Sequence, residues 1–69
     1  MTAKEMFKLA GYNQYANNSR YICYTADKEN DWKRVKFKLR ENKLTIHSDV
    51  KMELLRAIIK QCEELGWLE

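Results

Sequence analysis

From Lys33 to Arg40 the chain alternates strictly between basic and apolar residues, Val35, Phe37 and Leu39 being separated by Arg34, Lys36, Lys38 and Arg40. Successive side chains of a strand point to opposite faces, so this run specifies a strand with one face in a core and the other in water. Leu44 to Ser48 repeats the alternation through Leu44 and Ile46. A two-residue turn at Glu41-Asn42 sets Leu39 opposite Leu44, Phe37 opposite Ile46 and Val35 opposite Ser48 on the core side. On the outer side it sets Arg34 against Asp49 and Lys36 against His47. Arg20 to Ala26, rich in Tyr, Ile, Cys and Thr, reads as a further strand. A loop over Lys28 to Asp31 then brings Tyr24 opposite Val35 and Ile22 opposite Phe37, which makes Lys33 to Arg40 the middle strand.

Helices are expected at both ends. Thr2 and Glu5 have capping-box spacing, and Gly11 stops the helix they open. Met6, Leu9 and Ala10, with Phe7 adjacent, supply its apolar stripe. In the C-terminal segment Met52, Leu55, Ile58, Ile59, Cys62 and Leu65 recur at spacings of three and four, opposite Glu53, Arg56, Lys60, Glu63 and Glu64. Ser48 or Asp49 caps that helix, Gly66 ends it, and Trp67 folds back on its last turn. The expected fold class is α+β: a short N-terminal helix, a three-stranded antiparallel meander and a C-terminal amphipathic helix packed on one sheet face. Asn13 to Tyr15 is a candidate fourth, edge strand.

With 69 residues there is room for one core, expected over residues 1–67. Leu68-Glu69 has the form of a cloning scar before a histidine tag and is set aside. No run approaches the ~18 apolar residues of a spanning helix, and Met1 to Glu5 lacks a secretory apolar stretch, so a cytoplasmic protein without membrane partners is expected. Cys23 and Cys62 form no C-x-x-C pair and read as reduced thiols, Cys62 as a small core residue.

The residues speak against catalysis. His47 is the single histidine, and Cys23, the obvious nucleophile, falls about 9–10 Å from it across the middle strand in this register, too far for direct activation. One histidine and two separated cysteines do not close a four-ligand metal site. Asp27, Glu29 and Asp31 alternate as in a calcium loop but lack its glycine and distal glutamate. Both glycines read as helix stops, leaving no phosphate loop. No enzyme activity and no cofactor are expected.

Attention moves to the outer sheet face, where Arg34, Lys36, Lys38, Arg40 and Lys43 stand beside Tyr21, Thr45 and His47. Cations neutralise phosphates and a ring stacks on an unpaired base, so such a row suits nucleic acid. It suits a solvated face better still, since a sheet covered on one face must show polar residues on the other and lysine stems shield it and discourage edge aggregation. The formal charge of +3 names no partner by itself. Trp32, at the start of the middle strand, is an interface candidate.

The start Met1-Thr2-Ala3-Lys4-Glu5-Met6-Phe7 and the end Leu55-Arg56-Ala57-Ile58-Ile59-Lys60-Gln61-Cys62-Glu63-Glu64-Leu65-Gly66-Trp67 resemble those of short proteins encoded in phages and prophages of Gram-positive bacteria. The resemblance covers the two ends only. It implies Trp67 as the native last residue and, since that group has no assigned activity, carries over no site residue. The order helix, three strands, helix is also that of double-stranded RNA-binding domains. Those domains present a lysine cluster at the start of the second helix, where this chain has only Lys51. The leading expectation is a phage-type accessory protein that binds a protein partner through the exposed sheet face and Trp32. Nucleic acid on Lys36, Lys38 and Arg40 is the alternative, with a monomer or a weak homodimer as the assembly.

Overall fold

The structure, a computed structural model, describes residues 1–26, 33–47 and 49–68. Its elements are α1 (Ala3–Leu9), β1 (Asn13–Asn17), β2 (Tyr21–Thr25), β3 (Arg34–Lys38), β4 (Lys43–His47) and α2 (Met52–Glu64). The strands form one antiparallel meander in the order β1-β2-β3-β4, so the α+β class stands and the candidate fourth strand is real and longer than expected. A four-stranded sheet also departs from the three strands of a double-stranded RNA-binding domain. Asp27 to Trp32, Ser48 and Glu69 lie outside the described residues, and with them the Trp32 interface and the charged connection.

Both helices stop by the same device. Gly11 (φ +89) and Gly66 (φ +76) adopt the left-handed conformation that glycine enters without a Cβ clash. Around each, the next N–H reaches five residues back: Tyr12 to the Phe7 carbonyl at 2.8 Å and Trp67 to that of Cys62 at 2.9 Å. The glycine N–H groups bond Lys8 and Glu63, completing two Schellman motifs. The chain is thereby turned so that the Tyr12 ring meets Phe7 edge-on and the Trp67 ring lies 6.0 Å from Phe37. At the start of α1 the Thr2–Glu5 capping box is present as expected. The N-cap of α2 is Lys51, with no side-chain bond, rather than Ser48 or Asp49.

The core is aromatic. Phe7 stacks on Tyr24 at 3.7 Å, and Phe37 stands edge-on to both. Ile22, Val35, Leu54, Ala57 and Ile58 fill the space around them. The Tyr24 hydroxyl donates to Gln61 Oε1 and accepts from Gln14 Nε2 at 3.2 Å, tying α2 and β1 to the sheet centre. Its burial pushes the Tyr24 phenol above the ordinary value; the Gln14 bond works against that and nearby Glu64 adds to it.

Three expectations are corrected. The β2–β3 register is as read, Ile22 opposite Phe37 and Tyr24 opposite Val35, but β3–β4 is shifted by two residues: Phe37 faces Leu44, Val35 faces Ile46 and Arg34 faces His47. A two-residue hairpin turn of type I′ needs positive φ at both central residues. Only Asn42 has it (φ 54), so the connection widens to the four residues 39–42 and Leu39 leaves the strand, its N–H bonding the Arg20 carbonyl. On α1 the buried residues are Ala3 and Phe7, and Leu9 is 74% exposed.

On α2 the buried face is Leu54, Ala57, Ile58 and Gln61, while Met52 (61%), Leu55 (38%) and Ile59 (44%) are exposed. At 100° per residue the helix is turned by about a quarter turn from the stripe its hydrophobic residues suggest. The cause lies in α1 and Tyr24: Glu64 Oε2 accepts the Ala3 N–H at 2.7 Å, Ala57 is fully buried, and Gln61 reaches Tyr24. These contacts draw the Ala57–Gln61–Glu64 side inward and leave the opposite flank of α2 uncovered.

Candidate nucleic-acid interface

With the helices on one face of the sheet, Tyr21, Cys23, Thr25, Arg34, Lys36, Lys38, Lys43, Thr45 and His47 share the other, as the alternation and the register require. Arg40 has left the strand for the turn but stays with this face. Together with Arg20, Tyr21, Lys36, Lys38 and Glu41 it lines an open basin of about 500 Å³. Lys36 Nζ lies over the Tyr21 ring, 4.5 Å from its centroid, a cation–π contact that covers one face of the ring. Lys43 pairs with Lys38 across the edge, and exposed His47 stands opposite Arg34.

Two residues of the face were not legible beforehand. Tyr15 sits at a β-bulge between Gln14 and Ala16, which re-aims its side chain. The hydroxyl reaches the Cys23 thiol and Arg34, so the half-exposed ring lies across the outer face. Burial raises its pKa, as does the Cys23 contact, and Arg34 opposes the rise. No periodicity in Asn13–Asn17 announces a bulge. Arg20 precedes β2 and enters the basin because the Asn18 side chain accepts the N–H groups of Arg20 and Tyr21 at 2.8 and 3.1 Å, closing the β1–β2 turn tightly.

Among the described residues the charges are segregated. Of the described acidic residues only Glu41 borders this face; Glu5, Glu53, Glu63 and Glu64 are on the helices and Asp49 precedes α2. Six cations, Arg20, Arg34, Lys36, Lys38, Arg40 and Lys43, therefore act together with two tyrosines in a field far more positive than the net charge implies.

The same geometry bears on nucleophilic chemistry. The shifted register moves His47 from opposite Lys36 to opposite Arg34, about 12 Å from Cys23 by strand spacing and rise. Cys23 is 1% exposed beneath Tyr15, and burial raises the pKa of the Cys62 thiol. Among the described residues no group of three His, Cys, Asp or Glu side chains is placed to hold a metal ion, and no helix is long and apolar enough to cross a membrane. A second cleft of about 390 Å³, beside Gly11 and Leu54, carries both signs through Lys33, Lys51, Asp49 and Glu53 and selects no ligand charge. Compared with protein-family models, curated proteins and solved structures, the chain gives no match.

Proposed function

We propose that this chain is a non-catalytic, phage-type accessory protein whose outer sheet face binds single-stranded nucleic acid. The observation that carries the reading is the joining of six cations to two tyrosine rings on one face, with Glu41 the one described acidic residue beside them. The cations neutralise phosphates, and half-exposed Tyr15 and the face of Tyr21 opposite Lys36 offer π-surfaces to unpaired bases. A duplex fits less well: four strands at ~4.8 Å spacing, with side chains, are wider than the ~12 Å major groove. The phage-type assignment rests on the terminal strings alone.

Fluorescence anisotropy with labelled single- and double-stranded DNA and RNA at two salt concentrations tests this. The single strands are expected to bind, with log affinity falling against log salt at a slope of about −2 to −4 for three to five phosphate contacts. Tyr21→Ala weakens binding roughly 5- to 100-fold, the worth of one stacked base. An absence of binding at low salt removes the reading.

A protein partner, with Trp32 now outside the described residues, is the second reading, and a different surface favours it. Ile46, Val50, Met52, Leu55 and Ile59 are all exposed apolar residues of β4, the following connection and the free flank of α2. Affinity capture with wild type against Leu55→Glu and Ile59→Glu tests that strip; partners retained equally by all three forms remove it.

A further inference from the structure

We infer that the open edge of β4 and the free flank of α2 form a symmetric contact with a second copy of this chain, the two β4 strands pairing antiparallel about Thr45. The inference rests on the second reading above, that the apolar strip takes a protein, and names that protein.

The two edges of the sheet differ. The β1 edge is broken by its bulge and lined by Asn13, Gln14 and Asn17, features that discourage strand addition. The β4 edge keeps register over five residues without interruption. Its polarity follows from the ladder: Leu39 N–H donates to the Arg20 carbonyl and Ala26 N–H to that of Lys33. Bonded pairs alternate along antiparallel strands, so the odd residues of β3 bond β2 and Arg34, Lys36 and Lys38 bond β4. Their partners are His47, Thr45 and Lys43. The N–H and C=O groups of Leu44 and Ile46 therefore point out of the sheet edge.

That edge is complementary to itself. A two-fold axis at Thr45 places Leu44 opposite Ile46 of the second copy, twice, closing four backbone hydrogen bonds. All four apolar side chains then fall on the helix-covered face. A slip of two residues either way breaks the Leu44–Ile46 match. Lys43 meets His47 of the second copy only at the solvated ends of the outer face.

The helices form the layer above. Four strands at ~4.8 Å are about as wide as two helices at ~10 Å, and both helices reach the sheet centre, Gln61 of α2 accepting from the Tyr24 hydroxyl of β2. Phe7 of α1 accordingly stacks on Tyr24 of β2. The flank of α2 turned away from α1 carries exposed Leu55 and Ile59, and Ile46 on β4 is exposed as well. The five apolar side chains present about 400–500 Å² per copy, and with the strand edge the contact reaches ~1,200 Å² in total, the low end for a specific interface. On the outer side the pairing joins two basic faces into one eight-stranded surface.

Sedimentation equilibrium of the full chain from micromolar to millimolar concentration tests the inference. The expected mass rises with concentration toward twice 8.3 kDa. Ile46→Lys puts a charge at the edge and Ile59→Glu one on the helix flank; each is expected to stay at 8.3 kDa with an unchanged thermal midpoint. Because Ile59 is 44% exposed, Ile59→Glu decides the matter if Ile46→Lys fails to fold. A wild-type chain that remains monomeric at millimolar concentration overturns the self-pairing, as does a dimer unaffected by both substitutions. The wider protein-surface reading fails separately, in the capture experiment.

Discussion

Replacing Tyr24 by Phe removes one hydroxyl from the centre of the fold and leaves the ring stack on Phe7 in place. Tyr24 is fully buried and Gln61 is 5% exposed, so neither amide nor phenol has water to turn to. In wild type no buried side-chain polar atom lacks a partner among the described residues. Tyr24→Phe leaves the Gln61 oxygen without its donor and Gln14 Nε2 without its acceptor, an expected loss of about 1–3 kcal/mol. A domain of this size has only ~3–5 kcal/mol in total. The thermal midpoint should therefore fall by roughly 8–16 °C for a 2 kcal/mol loss. Gln61→Leu alone strands the phenolic proton and should be similarly harmful. The double variant leaves two apolar surfaces in contact and should recover most of the loss. Urea and thermal denaturation followed by circular dichroism measure all three. Additive losses in the double variant would refute the reasoning. The alkaline limb gives a second readout: the folded phenol titrates above the ordinary tyrosine value of 10.0, so this contribution is complete below that pH. It is lost as pH rises from there through the folded pKa, and Tyr24→Phe should flatten that loss.

The helix ends supply two more predictions. Gly66→Ala forces a Cβ into φ +76, and although no atom lies within 4 Å of it, the backbone strain should cost about 1 kcal/mol in urea denaturation, with Trp67 fluorescence shifting as its ring leaves Phe37. Thr2→Ala removes the acceptor for the Glu5 N–H and should destabilise by about 0.5–2 kcal/mol. The bonds from Thr2 hold the Glu5 carboxyl below its ordinary value of 4.5, so in wild type this contribution is present above that pH and is lost as pH falls through the folded value. Thr2→Ala keeps the backbone N–H that is the larger cause of the lowering and should remove only the smaller part of the acid dependence that the Thr2 hydroxyl supplies.

Local physics and tertiary physics divide this protein cleanly. The alternation around Val35 and Phe37, the capping box at Thr2 and the stops at Gly11 and Gly66 were legible because each depends on one stretch of backbone and its own side chains. So was the cationic outer face, since alternation assigns Arg34, Lys36 and Lys38 to one side as surely as it assigns Val35 and Phe37 to the other. What lay beyond the sequence depended on partners distant along the chain. The β3–β4 register hung on whether Leu39 stayed in the strand, and the Arg20 carbonyl and the φ of Asn42 decided that. Tyr15 reached the basic face through a bulge that only pairing with β2 creates.

The C-terminal helix shows the division most sharply. Its sequence determined that Met52–Glu64 is helical and amphipathic, since periodicity is a property of the segment. Which part of the apolar arc is buried was settled by Tyr24 drawing on Gln61, by Glu64 capping Ala3 and by the close approach of α1 at Ala57. An arc broader than the core it covers has a rotational freedom that only those contacts remove. They turn Leu55 and Ile59 outward, beside the open edge of β4.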